Sequence, residues 1–359
     1  MKKTALILLV LSLLSLPLLA QPQTEAPAAQ KDTILFTDSC GRTVEIPSNL
    51  TKVAPSGAVA TMFLASVAPE YMTNVNSSPT NAQMQYLPSV LATLPATGQL
   101  YGSKATLNTE EILQTGAEII IDIGDYKKGI EEDLDALQAQ TGIPCIFLEG
   151  DLEHMASAFR SLGTILSGKR ERAEELASAI EETLTMTKEN SRKVKDDEKL
   201  SVMYTQGPDG LGTNAKGSSQ AQVIELIGAT NAIVVDNVSQ KGGGTLIGLE
   251  QLLAFNPDVI LFLEGSIYST VSSDSVWSIL DAVKNGRYHE VPSLPYNWMS
   301  NPPSMNMVLG VWWLGNLLYP QYYDYDMREV AKAVYSLFWN YTLSDEDVDG
   351  LLARSTVKR

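Results

Sequence analysis

Lys104, Lys127, Lys128, Lys216 and Lys241 fall in loops of a chain whose formal charge is −16. Cations gathered on an otherwise acidic protein favour an anionic ligand or an anionic metal chelate, although any single lysine also serves to solvate a loop tip. Near them in the loops stand Tyr101, Tyr126, Tyr268, Tyr296 and Trp298. These supply flat walls with hydroxyl or indole donors, and tyrosine also ligates ferric iron. Ser56 and Gln206 follow predicted strands and add short polar groups. Prolines flank Trp298 and hold its loop, which makes it the favoured aromatic contact, whereas Trp312 and Trp313 lie in a helical pattern and read as core.

This set of side chains binds rather than transforms. No serine stands in a Gly-x-Ser-x-Gly elbow. His154 and His289 are the only histidines and lie far apart, and no clustered His/Asp/Glu spacing points to capture of a bare transition metal. Met62, Met84, Met299, Met305 and Met307 have no regular spacing and read as packing residues. Glycines at 207–212 and 242–244 let backbone approach a ligand, yet neither run ends in the Gly-Lys-Ser/Thr of a nucleotide loop. The expectation is therefore no catalytic residue, no intrinsic cofactor and no protein metal site.

Loops of this kind bind ligands when they leave the carboxyl ends of strands in open α/β sheets, and the elements that position them are legible. A hairpin over 34–47 turns at Ser39-Cys40-Gly41. Then follow a strand near Val53, a helix over 58–68, a short strand near Met72, a helix starting at Thr109, strands over 118–123 and 143–148, and a helix over 130–140 between them. Apolar residues at three- and four-residue steps predict helix from 153 to about 195, with Ser167-Gly168 as a possible bend. The spacing fits one rod joining two lobes, or two helices packed on one lobe. A second run of strands and helices starts at 200–204. Strands alternating with helices predict mainly parallel sheets covered on both faces.

One pattern occurs twice. Glu110-Glu111-Ile112-Leu113 leads through Gly116 to the apolar Ile119-Ile120-Ile121, and Glu250-Gln251-Leu252-Leu253 leads through Asn256-Pro257 to Val259-Ile260-Leu261. Each reads as helix, tight turn and buried strand, so the chain is expected to contain two similar lobes.

At the front, Lys2 and Lys3 precede an apolar run over 5–19, followed by small and turn-prone residues over 20–29, the layout of a secretory leader. The apolar run is short for a membrane span, so cleavage after Ala20 or near Ala28 is expected over retention as an anchor. The protein is then exported, into a periplasm. Its acidity argues against nucleic acid and anionic lipid as partners. Only Cys40 and Cys145 are present; a bridge between them is permitted in that compartment, but Cys145 reads as a small buried hydrophobe.

Taken in order, several stretches resemble the periplasmic substrate-binding proteins of ABC importers for ferric siderophores, haem, cobalamin and related metal complexes. They are Asp38-Ser39-Cys40-Gly41-Arg42-Thr43-Val44-Glu45-Ile46-Pro47, residues 245–262, Ala282-Val283-Lys284-Asn285-Gly286-Arg287, and residues 295–320 from Pro295-Tyr296-Asn297-Trp298 to Leu318-Tyr319-Pro320. The resemblance implies an α/β fold of two Rossmann-like lobes with mainly parallel sheets, joined by one long α-helix, with a ligand cleft between them. It divides the chain into a leader (1–20), a flexible segment (21–33), a first lobe (34–152), a connecting helix (153–197) and a second lobe (198–359). It further implies a monomer that binds a small-molecule metal complex and docks on a membrane permease through a carboxylate on each lobe, here Glu110 and Glu250. Acidic residues at helix starts also simply complement the helix dipole, by about 0.3–1 kcal/mol each. The other readings weighed are a molybdate- or tungstate-type oxyanion-binding protein using the helix starts at Ser56-Gly57 and Ser218-Ser219, and an exported cofactor-dependent enzyme.

Overall fold

The computed structural model describes residues 32–102, 105–239 and 243–355. The expected leader and nearly all of the 21–33 segment lie outside them, as do Lys104 and Lys241. Among the described residues, no helix is long and apolar enough to cross a membrane.

The chain opens with the expected hairpin, in which β1 (Thr33–Thr37) pairs antiparallel with β2 (Thr43–Pro47). Asp38 fastens the turn. Its carboxylate accepts the Arg42 backbone N–H at 2.9 Å, the Arg42 guanidinium at 3.1 Å and the Phe147 N–H at 3.2 Å, so the hairpin is tied to the third strand of the sheet beside it. That sheet is parallel, β3 (Val53–Pro55), β4 (Ile119–Gly124) and β5 (Cys145–Glu149) lying in sequence order. Around it run α1 (Ala58–Val67), the short α2 (Asn81–Met84), α3 (Thr109–Thr115) and α4 (Ile130–Thr141). Every residue of β4 is buried, as a strand with helices on both faces requires. Ile119, Ile121 and Ile123 join the main core, while Ile120 packs in a separate cluster with Ile112, Leu134 and Leu137. Cys145 lies in that second cluster, and burial pushes its thiol up to about 12. Burial and the Asp38 carboxylate push Cys40 up to about 11. Both sulfurs are unbridged.

The segment expected as one helix over 153–197 is a helical hairpin, α5 (Met155–Ile165) followed by α6 (Arg170–Ser191). The apolar period runs through both helices, and the break falls at Ser167-Gly168, where the sequence marked a bend. Three features shape it. Leu166 is extended and Gly168 takes a φ of +66°, which reverses the chain. Leu166 also forms a β-bridge with Leu50, with the Leu50 N–H donating to the Ile165 carbonyl and the Ser167 N–H to the Leu50 carbonyl. Gly163 then lets the two helices touch, since a Cβ there would lie 2.6 Å from the Ala173 Cβ and 3.2 Å from the Arg170 Cα. The long rod is therefore α6 alone, with 22 residues and a length of about 33 Å.

In the second lobe, β6 (Ser201–Gln206) pairs in parallel with β8 (Thr230–Asn231) and β10 (Val259–Phe262), and β10 with β11 (Tyr288–Glu290). The strands β7 (Gly212–Thr213) and β9 (Thr245–Leu246) extend the carboxyl end of β6 antiparallel. Its helices are α7 (Gln222–Leu226), α8 (Leu249–Phe255) and α9 (Asp281–Lys284), with α10 (Asn306–Leu318), α11 (Met327–Trp339) and α12 (Asp345–Leu352) closing the chain. The repeated pattern is present in three dimensions: α3 ends on Gly116 at φ 71° before β4, and α8 ends on Asn256 at φ 33° before β10.

The closing helices reach back to the first lobe. Phe338 packs on Phe159 with ring centroids 6.4 Å apart, Arg172 donates to the carbonyls of Ser66 and Leu337, and the Gln83 amide donates to the Pro295 carbonyl at 3.0 Å. One apolar cluster thus runs through both lobes and along α6.

Gly163→Ala is expected to lower stability by about 1–3 kcal/mol, because the added methyl overpacks the α5–α6 contact. Gly350→Ala in exposed α12, where a Cβ meets nothing within 4 Å, is expected to be neutral or stabilising by up to about 1 kcal/mol. Urea unfolding of the two variants checks the contrast.

Candidate functional site

In the first lobe, the carboxyl ends of β3 and β4 bring Ser56, Asp122 and the 125–129 loop together. Ser56 is fully buried and its hydroxyl donates to one oxygen of Asp122. The other Asp122 oxygen is buried without a hydrogen-bond partner. Burial holds this carboxyl above the usual range, with Ser56 and Lys127 drawing it back down. Lys127 donates to the Asp125 carbonyl at 3.0 Å and sits 4.6 Å from the centroid of the Tyr101 ring, a cation–π distance. The Tyr101 hydroxyl donates to Asp133 at 3.0 Å, and burial followed by that bond pushes its pKa up. Tyr126 is half exposed and donates to Glu131 at 2.9 Å. The structure therefore groups Ser56, Tyr101 and Lys127, with Tyr126 on the same loop as Lys127. Asp122 was missed in the sequence, where its only signal is a lone acid inside the apolar run of β4.

In the second lobe, Gln206 ends β6 and its amide donates to the Asn214 side-chain oxygen at 3.3 Å. Asn214 is 1% exposed and its amide nitrogen has no hydrogen-bond partner. Glycine at 244 is required by close approach as well as by its φ of +70°, since a Cβ there would lie 2.7 Å from the Thr213 carbonyl and 2.8 Å from the Gln206 amide. Tyr296 lines a cavity of about 210 Å³ with Glu264, Asn297 and Asn301, and Gln83 of the first lobe reaches the same space. Burial pushes the Tyr296 phenol up.

Three expected contacts are placed elsewhere. Trp298 is fully buried in the main core. The prolines do hold its loop, but α10 clamps the loop from behind, with Gly310 so close that a Cβ would lie 2.3 Å from the Trp298 carbonyl. Lys216 lies 3.2 Å from Glu225 of α7 and shares a groove with Arg192 near the end of α6. Tyr268 packs its ring on Phe262 and Tyr288, at 6.1 and 5.7 Å, and donates to the Arg354 carbonyl. Glu110 and Glu250 are both exposed in the first turns of α3 and α8. Each is followed three residues on by an exposed leucine, Leu113 or Leu253.

A cluster with metal-ligating chemistry does form. Glu149, Asp151 and His154, at the carboxyl end of β5, place one ligand atom each within 4.8 Å of one another. The hydrogen bond to Asp151 raises the His154 pKa, against a smaller opposing effect of burial.

The profile of the periplasmic binding protein family matches residues 68–294. The molybdate-binding protein MolA of Haemophilus influenzae is 26% identical over 174 residues, 48% of each chain. The Fe(3+)-citrate-binding protein YfmC of Bacillus subtilis is 24% identical over 196 residues, 53% of this chain and 58% of its own. The chain thus spans about half the length of these curated relatives. The solved structure of an ABC transporter solute binding protein from Sulfurospirillum deleyianum superposes with a TM-score of 0.81 at 27% identity, over 89% of this chain and 99% of that one. With the profile matching more than half of its residues, on a fold of two lobes joined by a long helix, the chain belongs to the periplasmic binding protein family.

Proposed function

We propose that this protein is the extracytoplasmic solute-binding component of an ABC importer, that it captures an iron or other metal complex between its lobes, and that it hands the complex to a membrane permease. It works as a carrier, with binding rather than turnover as its chemistry. The observation that carries this reading is the pair of matching units, α3–β4 and α8–β10, each presenting an exposed glutamate and leucine at the same register on its own lobe. A permease contacting Glu110 and Glu250 together senses the spacing of the lobes, because two distant anionic knobs fit two cationic sockets only at one separation.

Ser56, Tyr101, Lys127 and Asp122 form the first-lobe side of the proposed cleft, and Gln206, Asn214 and Tyr296 the second. Tyr126 stands on the same loop as Lys127, and the lysines that the sequence gathers in loops suit an anionic chelate. The ferric citrate cargo named for YfmC has this character. A second reading, a molybdate-type oxyanion, is favoured by the similarity to MolA and by the start of α1, where Gly57 provides no side-chain cap for the backbone N–H groups of the first turn.

Ferric citrate and molybdate, added separately at 100 times their dissociation constants, distinguish the two. The true cargo should raise stability by about 2.7 kcal/mol in thermal unfolding. Stabilisation by neither, with no co-purifying metal complex in native mass spectrometry, contradicts both readings. Lys127→Glu is expected to weaken an anionic cargo at least tenfold, about 1.4 kcal/mol, as read by titration calorimetry. Replacing Glu110 and Glu250 together by arginine should leave cargo affinity unchanged and abolish uptake in a transport assay; uptake at the normal rate would remove their docking role.

A further inference from the structure

We propose that Glu149, Asp151 and His154 form a binding site for one divalent first-row transition-metal ion, separate from the cargo contacts above and independent of what the cargo is. The site is assembled from a strand end, a loop and a helix start, and each part is held. Gly150 follows Glu149 and packs so tightly that a Cβ would lie 2.5 Å from the Ile123 side chain, while its N–H donates to the Gly124 carbonyl at 2.9 Å. Asp151 accepts the backbone N–H groups of Glu153 and His154 at 3.0 and 2.9 Å through a single oxygen, Oδ1. That leaves Oδ2 for a ligand. His154 Nδ1 lies 2.8 Å from Asp151 Oδ1 and 3.8 Å from Glu149 Oε2.

The donor set is one imidazole and two carboxylates. Hard oxygens with one borderline nitrogen suit zinc, cobalt or nickel, and three protein ligands leave positions open for water or a further donor. The two carboxylates balance the charge of a divalent ion. When an ion binds, the Nδ1 lone pair forms the bond to the metal, any proton on Nδ1 passes to solvent, and Nε2 keeps its hydrogen. The three side chains are 29%, 25% and 47% exposed, so the ion has access without unfolding. Asp151 also lines a cavity of about 740 Å³ bounded by Leu184 and Lys188 of α6 and by Gln222 and Glu225 of α7. The competing role for these residues is a helix cap with an ion pair, which holds no metal.

Untagged protein stripped with a chelator and titrated with zinc, cobalt or nickel chloride alone tests the proposal. Saturable binding of one ion per chain is expected, weakened tenfold or more by His154→Ala and by Glu149→Gln. Circular dichroism of the variants confirms that they fold. The two histidines give an internal reporter: the ring resonances of exposed His154 should shift or broaden with cobalt, and those of His289, buried in β11, should not. No stoichiometric binding, affinity unchanged in both variants, or a His154 signal indifferent to the metal would overturn the assignment.

Discussion

One helix has to be buried by two lobes at once, and the rest of the architecture follows from that. Along α6 the stripe Ala173, Leu176, Ala177, Ile180, Thr183, Thr187 and Asn190 is buried from end to end. Its first half packs on α5 through Gly163 and Ala173, and its second half meets the closing helices of the second lobe. Polar positions in the stripe are matched: the Trp312 indole donates to the Thr183 hydroxyl at 3.2 Å, and the Tyr323 hydroxyl bonds the Thr187 carbonyl at 3.3 Å. A helix without proline or internal break bends little, so the angle between the lobes is largely fixed by packing. In the proposed role, capture works by small closure on a nearly formed cleft rather than by a wide swing.

Near the strand ends, two polar groups carry a cost in the empty protein. Asp122 and Asn214, one in each lobe, each leave a buried polar atom without a partner. Such atoms destabilise an isolated domain by roughly 1–3 kcal/mol apiece. In the proposed carrier role, a cargo that supplies the missing bond offsets this cost.

The parts of the fold written in local pattern were legible in the sequence. The hairpin closed by Asp38 and Arg42, the apolar run of β4, and the paired α3–β4 and α8–β10 units all depend on neighbours within a few residues, and the structure has them where the pattern put them. The break between α5 and α6 was legible only as a bend at Ser167-Gly168, because the apolar period is the same on both sides and the turn is fixed by Leu50, distant in sequence. The site divides along the same line. Ser56 and Lys127 are brought together by adjacent parallel strands. Trp298, Lys216 and Tyr268 stand on the expected loops but face α10, α7 and the chain end, and the direction a loop side chain faces is decided by tertiary packing. Glu149, Asp151 and His154 did not stand out as a group, because their spacing crosses from strand to loop to helix and follows no single period.

A distance measurement across the lobes tests the central claim most directly. Spin labels on Gln114→Cys in α3 and Ala254→Cys in α8, in a Cys40→Ser background, report lobe separation by pulsed electron resonance, with Cys145 buried. The stiff-rod account predicts one narrow distance distribution for the empty protein, displaced by less than one helical turn, about 5.4 Å, when ferric citrate is added. A broad distribution in the empty protein, or a displacement of several turns on loading, would contradict it.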